Sequence, residues 1–162
     1  MQKFMLSDLP KEKISCEQKD LRTAYLLKKS FVGTHGELNS ALKFARYFYD
    51  LSKKQKNLEA EFMLSIAIDE IKHLEKLGKL LVFLGLDIVY MKYPPVDYLL
   101  NKNTYEKYSF RKIIFDGITT KLTSINCYEK ILCETINKKA QSVVKKILDD
   151  ENKHLSMLKK LI

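Results

Sequence analysis

Residues 66–78 read Ile66-Ala67-Ile68-Asp69-Glu70-Ile71-Lys72-His73-Leu74-Glu75-Lys76-Leu77-Gly78, and further on the chain reads Leu148-Asp149-Asp150-Glu151-Asn152-Lys153-His154. Both carry Asp-Glu-x-x-His within a helical apolar stripe. The first stripe is Phe62, Ile66, Glu70, His73, Leu77, Leu80, Leu84, in steps of 4, 4, 3, 4, 3 and 4 residues, which keep to one helix face. The second is Ala140, Val144, Ile147, Glu151, His154, Leu158, Leu161. A single Glu-x-x-His is common by chance, and a lone inward histidine is usually a hydrogen-bonded core residue. Two copies, both facing inward, are harder to explain that way. A buried carboxylate costs several kcal/mol unless it is paired or coordinates a cation. Two of them beside two imidazoles point to a metal site inside a helical bundle.

Working outward, the periodicity predicts four helices. The first runs from Leu21 to Tyr49 as one piece, before a break at Asp50–Lys54. The second covers about Asn57 to Phe83 and stops at Gly85. An irregular stretch follows from Leu86 to about Phe110, where Tyr93-Pro94-Pro95-Val96 forbids a continuing helix. The third covers Arg111 to Glu134 and the fourth about Lys138 to Leu161. Short, long and short connections predict an all-α, antiparallel four-helix bundle with one long crossover between helices 2 and 3. The bundle domain is 21–162, after a polar lead-in at 1–20.

The first helix adds a third inward carboxylate. Its expected stripe is Leu26, Ser30, Gly33, Glu37, Ala41, Phe44, Phe48, and reflection about the Ser52–Lys54 turn sets Glu37 opposite Glu70. His35 lies about 200° from Glu37 round the helix and reads as a surface residue. On the third helix the stripe is Ile114, Ile118, Lys121, Ile125, Tyr128, Leu132. Reflecting Glu151 about Asn137 leads to Lys121 as the nearest inward position. Glu129 is about 80° off that stripe and roughly 12 Å nearer the turn. An amine therefore stands where a fourth carboxylate is expected. Tyr128 reads first as a core residue with a satisfied hydroxyl, and alternatively as a hydrogen-bond partner of a metal ligand or a redox outlet.

The chain has 162 residues and a mass of 19.0 kDa, with 46% hydrophobic and 30% charged residues but only 5 Gly and 3 Pro. That excludes a disordered or collagen-like chain and disfavours an all-β sandwich. The net charge of +9 comes mostly from lysines scattered along the chain. Such a surface attracts nucleic acid or anionic membrane, but no basic block or groove motif accompanies it, and a solvated surface is the simpler reading. Cys16, Cys127 and Cys133 form no Cys-x-x-Cys pair and read as free thiols in a reducing compartment. The first residues are too charged for a signal peptide, and no apolar run reaches the ~18 residues of a membrane span. The expectation is a soluble, cytoplasmic protein without a membrane or specific nucleic-acid partner.

Through Gly36-Glu37-Leu38 and the two Asp-Glu-x-x-His segments, roughly residues 21 to 162 resemble the ferritin-like superfamily of carboxylate-bridged di-iron and di-manganese bundles. Within it they are most similar to small rubrerythrin- and manganese-catalase-related bacterial proteins. The resemblance implies that Glu37 and His73 hold one ion, that Glu70 and Glu151 bridge, and that His154 serves a second position whose remaining carboxylate has become Lys121. It also implies that Asp69 supports His154 and Asp150 supports His73, fixing each ring's tautomer.

Three carboxylates and one ammonium sum to −2, the charge one divalent ion neutralises. One or two ions per chain are expected, iron or manganese or alternatively zinc, with one favoured because of Lys121. Three other states stay open for the lysine: an ion-free pair with Glu70 and Glu151, a neutral amine ligand, or a side chain snorkelling outward. The functional expectation is a metal-binding ferritin-like protein and, if active, an oxidoreductase acting on peroxide or oxygen. The alternative is a non-catalytic structural or assembly protein derived from a di-metal enzyme. The resemblance implies a homodimer. Lacking a Cys-x-x-Cys iron centre, the chain would need an external electron donor. The crossover tyrosines Tyr90, Tyr93, Tyr98, Tyr105 and Tyr108 are expected to pack over the bundle or into a partner subunit.

Overall fold

The computed structural model describes residues 19–88 and 109–162, all of whose regular elements are helices. They are α1 (Leu21–Val32), α2 (Glu37–Ser52), α3 (Asn57–Phe83), α4 (Phe110–Glu134) and α5 (Lys138–Lys159). Together they make an all-α ferritin-like four-helix bundle, with α1 and α2 sharing the first rod. Three starts are capped as their residue types dictate. Asp20 accepts from the Thr23 amide, Ser109 from Lys112 and Asn137 from Ala140. Between α2 and α3 the turn closes through Gln55 at φ 57°, and α3 ends before Gly85 at φ 86°.

The first rod is broken, contrary to the single helix expected from Leu21 to Tyr49. Gly33 takes an extended conformation after α1, and Gly36 caps α2 in the same way. The backbone closes on itself there. The Gly36 amide donates to Gly33 O, and a Cβ on Gly33 would stand 2.3 Å from Lys29 O. Because the break shifts the register, α1 buries Thr23, Ala24, Leu27, Ser30 and Phe31 rather than a stripe through Leu26 and Gly33. Direction is nonetheless kept. The Asp20 amide bonds Leu84 O at the end of α3, Phe31 faces Gly78, and Glu37 reaches His73.

Two apolar clusters fill the interior. One joins Leu27, Phe31, Leu77, Leu81, Leu84, Ile131, Val144 and Ile147, and the other joins Phe44, Tyr47, Leu51, Met63, Ile66, Ile113, Ile114 and Leu158. Between them, in sequence and in height, lies a single charged layer. The end of the bundle by α1 is clasped by polar contacts: Thr23 Oγ1 to Thr135 Oγ1 at 2.8 Å, and Asn137 Nδ2 donating to Asp20 Oδ2 at 3.3 Å. No described helix is long and apolar enough to cross a membrane. Cys127 and Cys133 are free and exposed. Cys16 and the crossover tyrosines lie outside the described residues.

Candidate metal centre

The charged layer draws one or two residues from each rod. Glu37 opens α2, where the helix start presents partial positive charge. Glu70 and His73 come from α3, Lys121 and Tyr128 from α4, and Glu151 and His154 from α5. Each sits on the buried face of its helix. Glu70, Lys121 and Glu151 are fully buried, and Glu37, His73, Tyr128 and His154 nearly so. Glu37, Glu70, His73 and Glu151 each offer one ligand atom, all within 4.8 Å of one another. His35 and Glu129 are exposed and stay outside the cluster.

His73 Nδ1 lies 3.5 Å from Glu37 Oε2 and 3.6 Å from Glu151 Oε1, while its Nε2 faces Asp150 Oδ2 at 3.4 Å. His154 mirrors it, with Nε2 3.2 Å from Asp69 Oδ2 and Nδ1 3.8 Å from Glu70 Oε1. Each aspartate preceding one Glu-x-x-His thus reaches the histidine of the other. In the neutral ring, an Nε2–H donated to aspartate leaves the Nδ1 lone pair aimed at the cluster centre.

Lys121 does not snorkel outward. Its ammonium donates to Glu70 Oε1 and to Glu151 Oε1, the latter at 2.9 Å, and sits 5.0 Å from the centre of the Phe44 ring. The Tyr128 hydroxyl donates to Glu37 Oε1. Among the described residues, one set of buried side-chain atoms remains without a hydrogen-bond partner: Glu37 Oε2, Glu70 Oε2, Glu151 Oε2, His73 Nδ1 and His154 Nδ1. Buried polar atoms in natural proteins are nearly always satisfied. The five orphans gathered in one layer are carboxylate oxygens and imidazole nitrogens, atom types that could hold a hard or borderline divalent cation.

The electrostatics follow from the packing. Burial and the neighbouring Glu37 and Glu151 carboxylates push Glu70 well above the usual carboxylate range, against the pull of Lys121. Burial works to neutralise Lys121, but Glu70 and Glu151 outweigh it and hold the amine charged, which disfavours a neutral amine ligand. Burial likewise opposes charge on His73, yet the Glu151 and Glu37 carboxylates beside it raise it to about 9. His154 goes the other way, lowered by burial and by the Lys121 ammonium. Burial raises Glu151, but His73 and Lys121 prevail and hold it low. Tyr128 is pushed well up by burial and by Glu37, so its phenol stays a donor.

Sequence reasoning missed Phe44 as the ring beneath the ammonium. Its only signal was its place in the first rod's apolar stripe, which marks core residues equally well.

Comparison with known proteins agrees with this architecture. No curated protein matches the sequence. Among solved structures, wild-type KatB, a manganese catalase from Anabaena, is similar with a TM-score of 0.74 at 19% identity, covering 98% of this chain and 78% of that one. A second structure, of KatB from Anabaena PCC7120, gives 0.73 at 19% identity over 95% and 77%. Rhodobacter capsulatus bacterioferritin, described with a metal-free dinuclear site and haem iron, gives 0.67 at 14% identity over 88% and 84%. At such identities the likeness speaks for the fold. The family model for rubrerythrin matches residues 26–162, which takes in most of α1 and every other helix of the bundle, and the chain belongs to the rubrerythrin family.

Proposed function

We propose that this protein binds one divalent ion, Fe²⁺, Mn²⁺ or Zn²⁺, through Glu37, Glu70, His73 and Glu151, while the Lys121 ammonium takes the second cation's place. The observation that carries this reading is the layer of unpartnered donor atoms with Lys121 already seated against two of its carboxylates. The charges agree: three carboxylates, one ammonium and one divalent ion sum to zero.

Bound iron or manganese supplies redox and Lewis-acid chemistry at this buried point. The chain's own part is to hold and orient. Asp150 fixes the His73 ring, and Tyr128 binds the Glu37 oxygen that His73 does not face. The apolar clusters on either side exclude water. Peroxide or oxygen chemistry that needs a pair of redox ions is curtailed by the lysine, so any such activity is weak or altered. A second reading, a non-catalytic structural or assembly protein, rests on the same lysine and predicts no peroxide turnover even when the ion is bound.

The test is metal content per chain after loading with each ion in turn. Wild type should hold one. His73→Gln should lose it and His154→Gln should keep it. Two tight ions in wild type, or loss in both histidine variants alike, would overturn the assignment.

A further inference from the structure

The lysines that look scattered along the sequence are gathered by the register of α5. Lys138, Lys145 and Lys159 form one row seven or fourteen residues apart, and Lys139, Lys146, Lys153 and Lys160 form another with a seven-residue step. All seven are exposed. At 100° per residue they fall within about 90° of the direction opposite the buried Ala140–Ile147–Glu151–Leu158 stripe, along a rod about 33 Å long. Between the rows the exposed residues are Ser142, Asp149, Asn152 and Ser156, so Asp149 is the face's one exposed acid.

This face differs from the outer faces of α3 and α4. On α3 and α4 exposed lysines pair along their own helix, Lys72 with Asp69 at 2.8 Å, Lys79 with Glu75 at 2.7 Å and Lys130 with Glu134 at 3.7 Å. On α5 Lys153 pairs with Asp150, and Lys139 lies over the Phe83 ring. Among the described residues, no carboxylate pairs with Lys138, Lys145, Lys146, Lys159 or Lys160. Like charges spaced along one helix face repel one another, with no compensating carboxylate among the described residues. A second copy of the same face would add to that repulsion.

We infer that the outer face of α5 docks the phosphate backbone of double-stranded DNA without reading its sequence. Charge complementarity selects a polyanion. The face lacks the broad apolar surface that seats a helix in a bilayer, with only Met157 at its edge. It lacks the aromatic platforms on which single strands stack. It carries no arginine for bidentate base recognition, only lysines acting as point charges. The length of α5 matches about ten base pairs of duplex axis.

The test is binding of the full chain to a labelled duplex across a salt series, with single-stranded DNA and phosphatidylserine vesicles in parallel. Duplexes of different sequence should bind alike. Five unpaired lysines predict a slope of log affinity on log salt of about −4 to −5. Lys138→Gln, Lys145→Gln and Lys146→Gln together should flatten that slope by about 3, while Lys72→Gln with Lys79→Gln leaves it unchanged. All five side chains are exposed, and unchanged helicity and metal content confirm that each variant is folded. No duplex binding at low salt, vesicle binding without duplex binding, or equal loss in the two sets of variants would overturn the inference. The result is independent of the ion count at the buried centre.

Discussion

Ion binding at this centre, as proposed, is linked to protons, and His73 sets the linkage. Without an ion, Glu151 and Glu37 hold its imidazole charged up to about pH 9. An ion needs the neutral Nδ1, so it must displace that proton. At about pH 7, two units below, displacement weakens the ion's affinity about 100-fold, or ~2.7 kcal/mol, relative to the fully deprotonated site. Between about pH 6 and about pH 8 the Mn²⁺ dissociation constant should fall at least ~100-fold. Glu70 adds to the slope, because burial and its carboxylate neighbours raise it and an ion would release any proton held there. Calorimetric titration in two buffers of different ionisation enthalpy counts the protons directly, with about one to two expected per ion. Affinity that is flat with pH, with no proton released, would refute the assignment of His73 as a ligand.

The same histidine governs the stability of the metal-free protein. Its folded value is raised above the unfolded 6.5, so its contribution is full below about pH 6.5 and is lost as pH rises through about 9. The loss is at most about 3 kcal/mol, measurable by denaturant unfolding in chelator. Lys121→Met removes the cation from Glu70 and Glu151 and should destabilise the metal-free protein by about 3–5 kcal/mol, recovered when Mn²⁺ is added. Unfolding curves with and without the ion decide it, and an equal loss in both would contradict the charge argument. Gly33→Ala drives a Cβ into Lys29 O and should lower stability, whereas Gly117→Ala meets only Leu158 and Phe44 at 3.5 Å and should raise it by about 0.5–1 kcal/mol. Thermal melts of the pair test the account of the broken first rod.

Much of this molecule is legible because apolar period and polar exceptions coincide. Glu70, His73, Glu151 and His154 stand out only because their neighbours at helical spacing are aliphatic, and the structure buries all four. The limits of α3, Asn57–Phe83, follow from the polar turn before it and Gly85 after it. The break between α1 and α2 escaped because Gly33 falls in phase with the apolar stripe. Two glycines three residues apart were its only mark. Periodicity places Lys121 inward but leaves its length free to carry the amine to solvent. Packing against Phe44, Glu70 and Glu151 decides its direction, and those contacts span three helices. The proton on His73 is likewise a property of the assembled layer, since Glu37 and Glu151 come from other rods.

The central claim is that Lys121 serves as the second cation of the layer. It is tested most directly by metal content per chain in wild type and Lys121→Glu, prepared side by side with the same ion and located by anomalous diffraction. Lys121→Glu restores a fourth carboxylate beside His154, whose Nδ1 already faces Glu70 and Glu151. The account predicts one ion in wild type and two in the variant, the new one between His154 and the carboxylate introduced on α4. Two ions in both proteins, or one in both, would contradict it.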